Sequence, residues 1–293
     1  TMTTIIDGNA IAGQIIEELR AEVSAMPEAN RPCIHLVRVG EDPASMTYVA
    51  SKEKACREVG IISSVYKLPE TVSEKELLDV IDYLNHDDQV NGFIVQLPLP
   101  RHIDEKKMIS RINPAKDVDG FHPENFGRMA LNLPAYIPAT PYGILQLIER
   151  YKIETSGKHC VILGRSHIVG SPMSILLSRK TYPGDATVTL CHSRTPNLKE
   201  ITLTADILIV AMGQPEFVTK DMVKKDTVVF DVGIHRIPSE TSKSGFRLIG
   251  DVKFDEVSRN ASFITPVPGG VGPMTIVGLL MNTLKAYKKE IYT

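Results

Sequence analysis

Short apolar runs alternate with segments of helical spacing along most of the chain, and this alternation limits the fold more than any other feature. "GNAIAGQIIEELRAEV" carries its apolar residues at helical intervals, and "CIHLVRV" after it reads as a strand. "TYVASKEKACREVG" is helical again and ends at Gly60, a residue suited to a C-cap. "SSVYKLP" is strand-like, and "SEKELLDVIDYL" is a helix opened by Ser73, with Glu76 at capping-box spacing. "GFIVQLP" is a continuous apolar strand stopped by Pro98 and Pro100. Alternation of this kind predicts an α/β fold, with a parallel sheet and crossover helices.

The pattern breaks once. "LNLPAYIPATPYG" holds Pro134, Pro138 and Pro141, which favour extended backbone, so the domain boundary is expected near residue 140. Beyond a bridging helix, "HCVILG", "ATVTLCHS", "ADILIVAMG", "TVVFDVG" and "SFITPV" form a second run of strands. They suggest an α/β unit of dinucleotide-binding type. The expected division is a first domain over 1–140 and a Rossmann-type domain over 141–272. The helix over 273–293 lies beyond that unit and is free to return to the first domain.

A length of 293 residues suits two such domains, and 43% hydrophobic with 23% charged residues is an ordinary globular balance. A net charge of −2 gives no reason to expect nucleic acid or an anionic membrane as partner. Cys33, Cys56, Cys160 and Cys191 form no CxxC pair and no zinc-type cluster. They read as reduced thiols of a cytoplasmic or similar compartment, with no metal site. "TMTTIIDGNA" lacks the basic and apolar regions of a signal peptide, and "ADILIVAMG" is far too short to span a bilayer.

Several stretches point to chemistry. "VILGRSHIVGSP" follows an apolar strand and opens a helix, with Ser171 placed as N-cap and Pro172 at N1. Such a turn offers bare N–H groups to a phosphate, or is simply a tight turn; it is neither GxGxxG nor a Walker loop. A typical NAD site carries an acid at the end of the next strand, but "CHSRT" has none. Arg194 there, with Arg165, suits a 2′-phosphate and so NADP, unless Arg194 is only solvated surface.

On the wheel of "YVASKEKACREV", Tyr48, Val49, Ala55, Cys56 and Val59 form an apolar arc, and Lys52 falls in its middle. A lysine there must snorkel, find a partner or lose its proton by desolvation. Gln96 lies at the carboxyl end of "GFIVQLP", where ligands of open α/β sheets bind. Its amide either meets a heterocyclic edge or is satisfied within the protein. In "PAKDVDGFHP", His122 replaces the glycine that a calcium loop needs, so Asp117 and Asp119 read as turn formers, one of them available to an aminopyrimidine-like edge.

Taken together, "YVASK", "VQLPLP", "KDVDGF", "PATPYG", "GRSHIVGSP", "DVGI" and "PVPGGVGPMT" resemble the signatures of the methylenetetrahydrofolate dehydrogenase/methenyltetrahydrofolate cyclohydrolase family. They occur in the family's order and span almost the whole chain. The resemblance implies two α/β domains around a cleft, with the C-terminal helix crossing back to the first. It implies oxidation of 5,10-methylenetetrahydrofolate by NADP⁺, then hydrolysis of the methenyl cation to 10-formyltetrahydrofolate, in the one-carbon metabolism that serves purine biosynthesis.

By the same resemblance Lys52 is the catalytic lysine, Tyr48 its neighbour over the folate and Gln96 its working partner, flanked by Val95 and Leu97. Asp119 holds the pterin edge, and Pro268, Gly269 and Gly270 lie in the loop that closes on folate. Gly164, Arg165, Ser166, Ser193 and Ile234 contact NADP. No metal is implied, and a homodimer is the family expectation. Two rival readings are another NADP-linked dehydrogenase of the same plan and a non-catalytic folate or dinucleotide sensor. Neither accounts for "YVASK" together with "VQLPLP" and the Lys52–Gln96 pair.

Overall fold

In a computed structural model describing residues 2–293, the elements run in the alternating order that the apolar pattern predicts. The first half gives β1 (Thr4–Ile5), α1 (Gly8–Ser24), β2 (Cys33–Val39), α2 (Pro43–Val59), β3 (Ile62–Leu68), α3 (Glu74–His86), β4 (Gly92–Val95), α4 (Glu105–Arg111), α5 (Pro123–Ala130) and α6 (Ala139–Arg150). The second gives β5 (His159–Leu163), α7 (Gly170–Ser178), β6 (Thr187–Cys191), α8 (Leu198–Thr202), β7 (Ile207–Val210), β8 (Thr227–Asp231), β9 (His235–Pro238), β10 (Phe246–Ile249), α9 (Phe254–Val257), β11 (Ala261–Ile264) and α10 (Gly272–Tyr287). The chain divides into two compact units, one of Gly13–Ala139 with Ile276–Thr293, the other of Thr140–Thr275 with the residues up to Ala12.

The first of these units is built on a three-stranded parallel sheet in the order β3-β2-β4. Local chemistry fixes its helix ends. The Asp42 carboxylate accepts the Ser45 N–H at 3.0 Å to start α2, and Gly60 ends it in the left-handed region at φ 95°. Ser73 and Glu76 close the expected capping box on α3. One sheet face packs Val37, Val39, Phe93 and Val95 against Leu77, Ile81 and Leu84 of α3. Each such side chain contributes roughly 1.5–3 kcal/mol on burial.

From Ile276 onward α10 belongs to this unit, as the resemblance implied. Its buried Asn282 donates to the carbonyls of Val118 (2.9 Å) and Ile137 (2.7 Å), and Lys288 pairs with Glu22 at 2.7 Å. A β-carbon on Gly278 would strike the Ala139 carbonyl, so α10 lies directly against that backbone.

The second unit holds a six-stranded sheet in the order β1-β11-β8-β7-β5-β6, parallel throughout. Strands β5, β7 and β8 are almost wholly buried, which explains their unbroken apolar sequence. The chain leaves β5 for β6 on one side and returns to β7 on the other. The carboxyl ends of β5 and β7 therefore flank a topological switch point, where open α/β sheets bind ligands.

Three expectations need correction. The first residues do not join the 13–139 unit: β1 pairs with β11 (Thr4 opposite Phe263, Ile5 opposite Ile264) and covers that edge of the larger sheet. Helix α7 begins at Gly170, so Ser171 is not its N-cap, and Pro172 lies within its first turn. The antiparallel hairpin β9–β10 falls where no strand was read, because its strands are short and largely exposed.

Candidate active site

The buried residues of α2 are Ser45, Val49, Ala55, Cys56 and Val59. Lys52 sits in the gap of that stripe, three residues after Val49 and four before Cys56. It does not snorkel. Its Nζ donates to Oε1 of Gln96 at 2.9 Å. An ammonium has only donors, so the Gln96 oxygen must face it. The other end of that amide donates to the Leu97 carbonyl at 3.1 Å, and the Gln96 N–H is fixed by the Val37 carbonyl at 2.9 Å. Burial pushes the Lys52 pKa below its ordinary value, while the Asp119 carboxylate pulls it back up. Cys56, one turn on, is pushed up to about 12 by burial and stays a thiol.

Tyr48 departs from the apolar arc: it is 52% exposed, at the edge of the stripe and one turn before Lys52. An exposed ring beside a buried amine is a surface on which a flat ligand can stack.

The two aspartates of "KDVDG" separate cleanly. The buried Asp117 carboxylate accepts N–H bonds from His122 (2.8 Å), Phe121 (3.4 Å) and the Asn125 amide (3.0 Å), and burial raises its pKa to about 7. It forms the turn. Asp119 has no hydrogen-bond partner among the described residues. Burial raises its pKa, and Lys52 opposes that shift. With Met108, Ile112, Phe121 and the two aspartates, Val95 and Leu97 line a small recess.

In the other unit, Pro268, Gly269, Gly270 and Ile234 line one recess together with Asn9 and Asp231. The Gly8 N–H donates to the Gly269 carbonyl at 2.8 Å, so the start of α1 clamps this loop. Gly269 occupies φ 90°, whereas Gly270 is required for space: a β-carbon there would strike the Pro266 carbonyl.

Gly164 follows β5 at φ 111°, and its missing side chain leaves room for the Ala211 carbonyl after β7. Ser166 spends its hydroxyl on the Val169 N–H at 3.1 Å, tightening the turn into α7. Leu163 pairs with Cys191, so the turns after β5 and β6 lie at neighbouring strand ends. Arg165, Ser193 and Arg194 are exposed there, and no carboxylate pairs with either arginine among the described residues. Bare cations and hydroxyls beside a glycine turn fit a phosphate-bearing dinucleotide.

Sequence reasoning missed Asn9 and Asp231, which line the recess of the glycine loop, and the buried Asp251 bonded to His235. An aspartate ending a buried strand, as in "VVFDVG", and another in "GDV" were the available signals, since buried carboxylates need donors. Among the described residues no cluster of three or more His, Cys, Asp or Glu could hold a metal ion, and no helix is long and apolar enough to cross a membrane.

Comparison with known proteins bears on the family of the chain. Residues 6–119 match the model of the tetrahydrofolate dehydrogenase/cyclohydrolase catalytic domain, and residues 138–291 that of the family's NAD(P)-binding domain. The bifunctional protein FolD of Cytophaga hutchinsonii is 63% identical over 284 residues, covering 96% of this chain and 98% of its own. The FolD structure from Campylobacter jejuni superposes with a TM-score of 0.92 at 46% identity, covering 98% of this chain and 99% of that one. The Trypanosoma brucei FolD, solved with NADP cofactor and an inhibitor, gives a TM-score of 0.92 at 36% identity over 100% of both chains. By both domain models and by near full-length identity, the chain belongs to the tetrahydrofolate dehydrogenase/cyclohydrolase family.

Proposed function

We infer that this protein oxidises 5,10-methylenetetrahydrofolate with NADP⁺ to the methenyl cation and hydrolyses that cation to 10-formyltetrahydrofolate. The observation that carries the reading is the buried Lys52 amine held by Gln96 at 2.9 Å, with an unpartnered carboxylate, Asp119, in its field.

Each residue has a task suited to its surroundings. Asp119 accepts N–H groups of the pterin edge, and Val95 and Leu97 give that edge an apolar bed. The exposed Tyr48 ring stacks on the folate. Gln96 fixes the amine of Lys52, whose lowered pKa makes it ready to take and return a proton as water adds to the methenyl carbon. Pro268, Gly269 and Gly270 present backbone to folate. Gly164, Arg165, Ser166, Ser193 and Ile234 hold the dinucleotide, with Arg165 and Ser193 directed to the 2′-phosphate. When bound, the nicotinamide accepts the hydride.

In this reading the folate domain takes residues 13–140 with the C-terminal helix, and the NADP domain takes 141–272 with the first residues of the chain. The enzyme acts in the cytoplasm as a homodimer. The test is an assay following NADPH formation and methenyl absorbance together. Methylenetetrahydrofolate with NADP⁺ is expected to yield NADPH, a transient methenyl species and 10-formyltetrahydrofolate. No NADPH formation would refute the dehydrogenase, and a persistent methenyl product the cyclohydrolase. Sedimentation to a monomer would refute the dimer.

A further inference from the structure

Asp251 is fully buried, yet it belongs to no site assigned above. Its Oδ2 accepts the N–H groups of Met212 (2.9 Å) and Gly213 (3.0 Å), and its Oδ1 meets Nε2 of His235 at 2.6 Å. These contacts tie together the turns after two neighbouring strands. Met212 and Gly213 follow β7, on the far side of the switch point from Gly164. His235 opens β9, directly after the "DVGI" turn that carries Ile234. The same carboxylate fills the space over Gly233, where a β-carbon would strike it. Gly213 takes φ 71° with open space where a side chain would stand, which leaves its backbone free to approach a ligand.

We propose that His235 is a positioning residue for the dinucleotide: through Asp251 it fixes the Met212–Gly213 backbone that walls the crevice beside Gly164. The inference rests on the reading of this crevice as the NADP site. Its physical basis is the division of labour on the carboxylate. Oδ2 has two backbone donors, whereas His235 supplies the one side-chain donor to Oδ1 among the described residues. A buried carboxylate oxygen left without a donor is costly. Without His235 the carboxylate is free to turn, and its hold on the two amides weakens. The Asp251 N–H is itself held by Asp231 Oδ1 at 3.0 Å, so the backbone at 251 is anchored and only the side chain is free to respond. The His235 side chain is 20% exposed, and its Nε2 is engaged by Asp251.

The experiment compares His235→Phe, which keeps ring volume without a donor, with His235→Gln, which restores an N–H at similar reach. Amide exchange at Met212 and Gly213 is followed in the cofactor-free protein, and NADP⁺ affinity is measured by titration. His235→Phe is expected to speed exchange at both amides and to weaken NADP⁺ by about tenfold, the scale of one lost hydrogen bond to a charged group. His235→Gln is expected to restore both, and the KM for methylenetetrahydrofolate is expected to stay at the parent value in both. If His235→Phe does not fold, His235→Leu takes its place. Parent-like NADP⁺ affinity in the donor-free variant, or a Gln variant as weak as it, overturns the proposal. So do Met212 and Gly213 amides that exchange freely in the parent. A parent protein that binds no NADP⁺ at all overturns instead the reading of the crevice.

Discussion

The two candidate sites bury opposite things. Around Lys52 the candidate reactive groups themselves are drawn in from water: the amine sits in the gap of the buried stripe of α2, and burial shifts both Lys52 and Asp119. Around Gly164 the candidate cofactor-binding side chains, Arg165, Ser166 and Ser193, are exposed, and what is buried are the carboxylates Asp231 and Asp251, which hold the backbone at Met212, Gly213 and Gly233. The difference follows from the work. Proton transfer needs a tuned pKa, and tuning needs desolvation or a close charge. Holding a charged cofactor needs reach and charge, supported on a backbone that does not move.

The strongest test of this contrast removes the buried amine. Lys52→Met keeps most of the stem's volume in the stripe and deletes only the proton carrier. Methenyl hydrolysis is expected to fall by about 10²–10⁴-fold, while a measurable share of the NADP-dependent oxidation survives and the methenyl cation accumulates. Stopped-flow measurement of both steps on one folded preparation checks this. Hydrolysis at the parent rate would make Lys52 a packing residue and dissolve the contrast.

A smaller effect is expected in the exposed site. Arg165→Ala should weaken NADP⁺ by roughly 1.5–3 kcal/mol, the range for a lost charge-assisted contact, and should leave NAD⁺ nearly untouched. Comparing the two cofactors in steady-state assays reads this directly, and equal losses would remove Arg165 from the 2′-phosphate.

The smallest effect sharpens the role of burial. The pKa of Asp117 is about 7 in the folded protein against 3.8 ordinarily, so between those values the folded state holds a proton that the unfolded chain has released. Stability therefore falls as pH rises from about 4 to about 7, with a slope of at most ~1.4 kcal/mol per pH unit for this group. Urea unfolding of Asp117→Asn is expected to show a flatter pH dependence across that window. It should not be flat, because Asp231, raised to about 7 by the same cause, remains. An unchanged slope would mean that Asp117 is ionised throughout.

Much of this was legible in the chain because it is local. Helical spacing placed Lys52 in the apolar stripe, Ser73 and Glu76 closed their capping box, and Gly60 took the left-handed turn, since each depends on neighbours within about four residues. Short motifs in a fixed order carried the family, and with it Gln96 and Asp119. What remained closed were choices among distant partners. Only the assembled sheet decided that β1 would pair with β11, and only the folded turn showed which donors hold the Asp117 carboxylate, the His122 and Phe121 N–H groups and the Asn125 amide. The tie of His235 to Met212 through Asp251 joins residues from separate strand ends, and no periodicity announces it. Sequence patterning encodes which face of an element is apolar and where the element stops. It does not encode which buried donor meets which buried acceptor, because that is settled when packing removes water and leaves each polar group to the partner within reach.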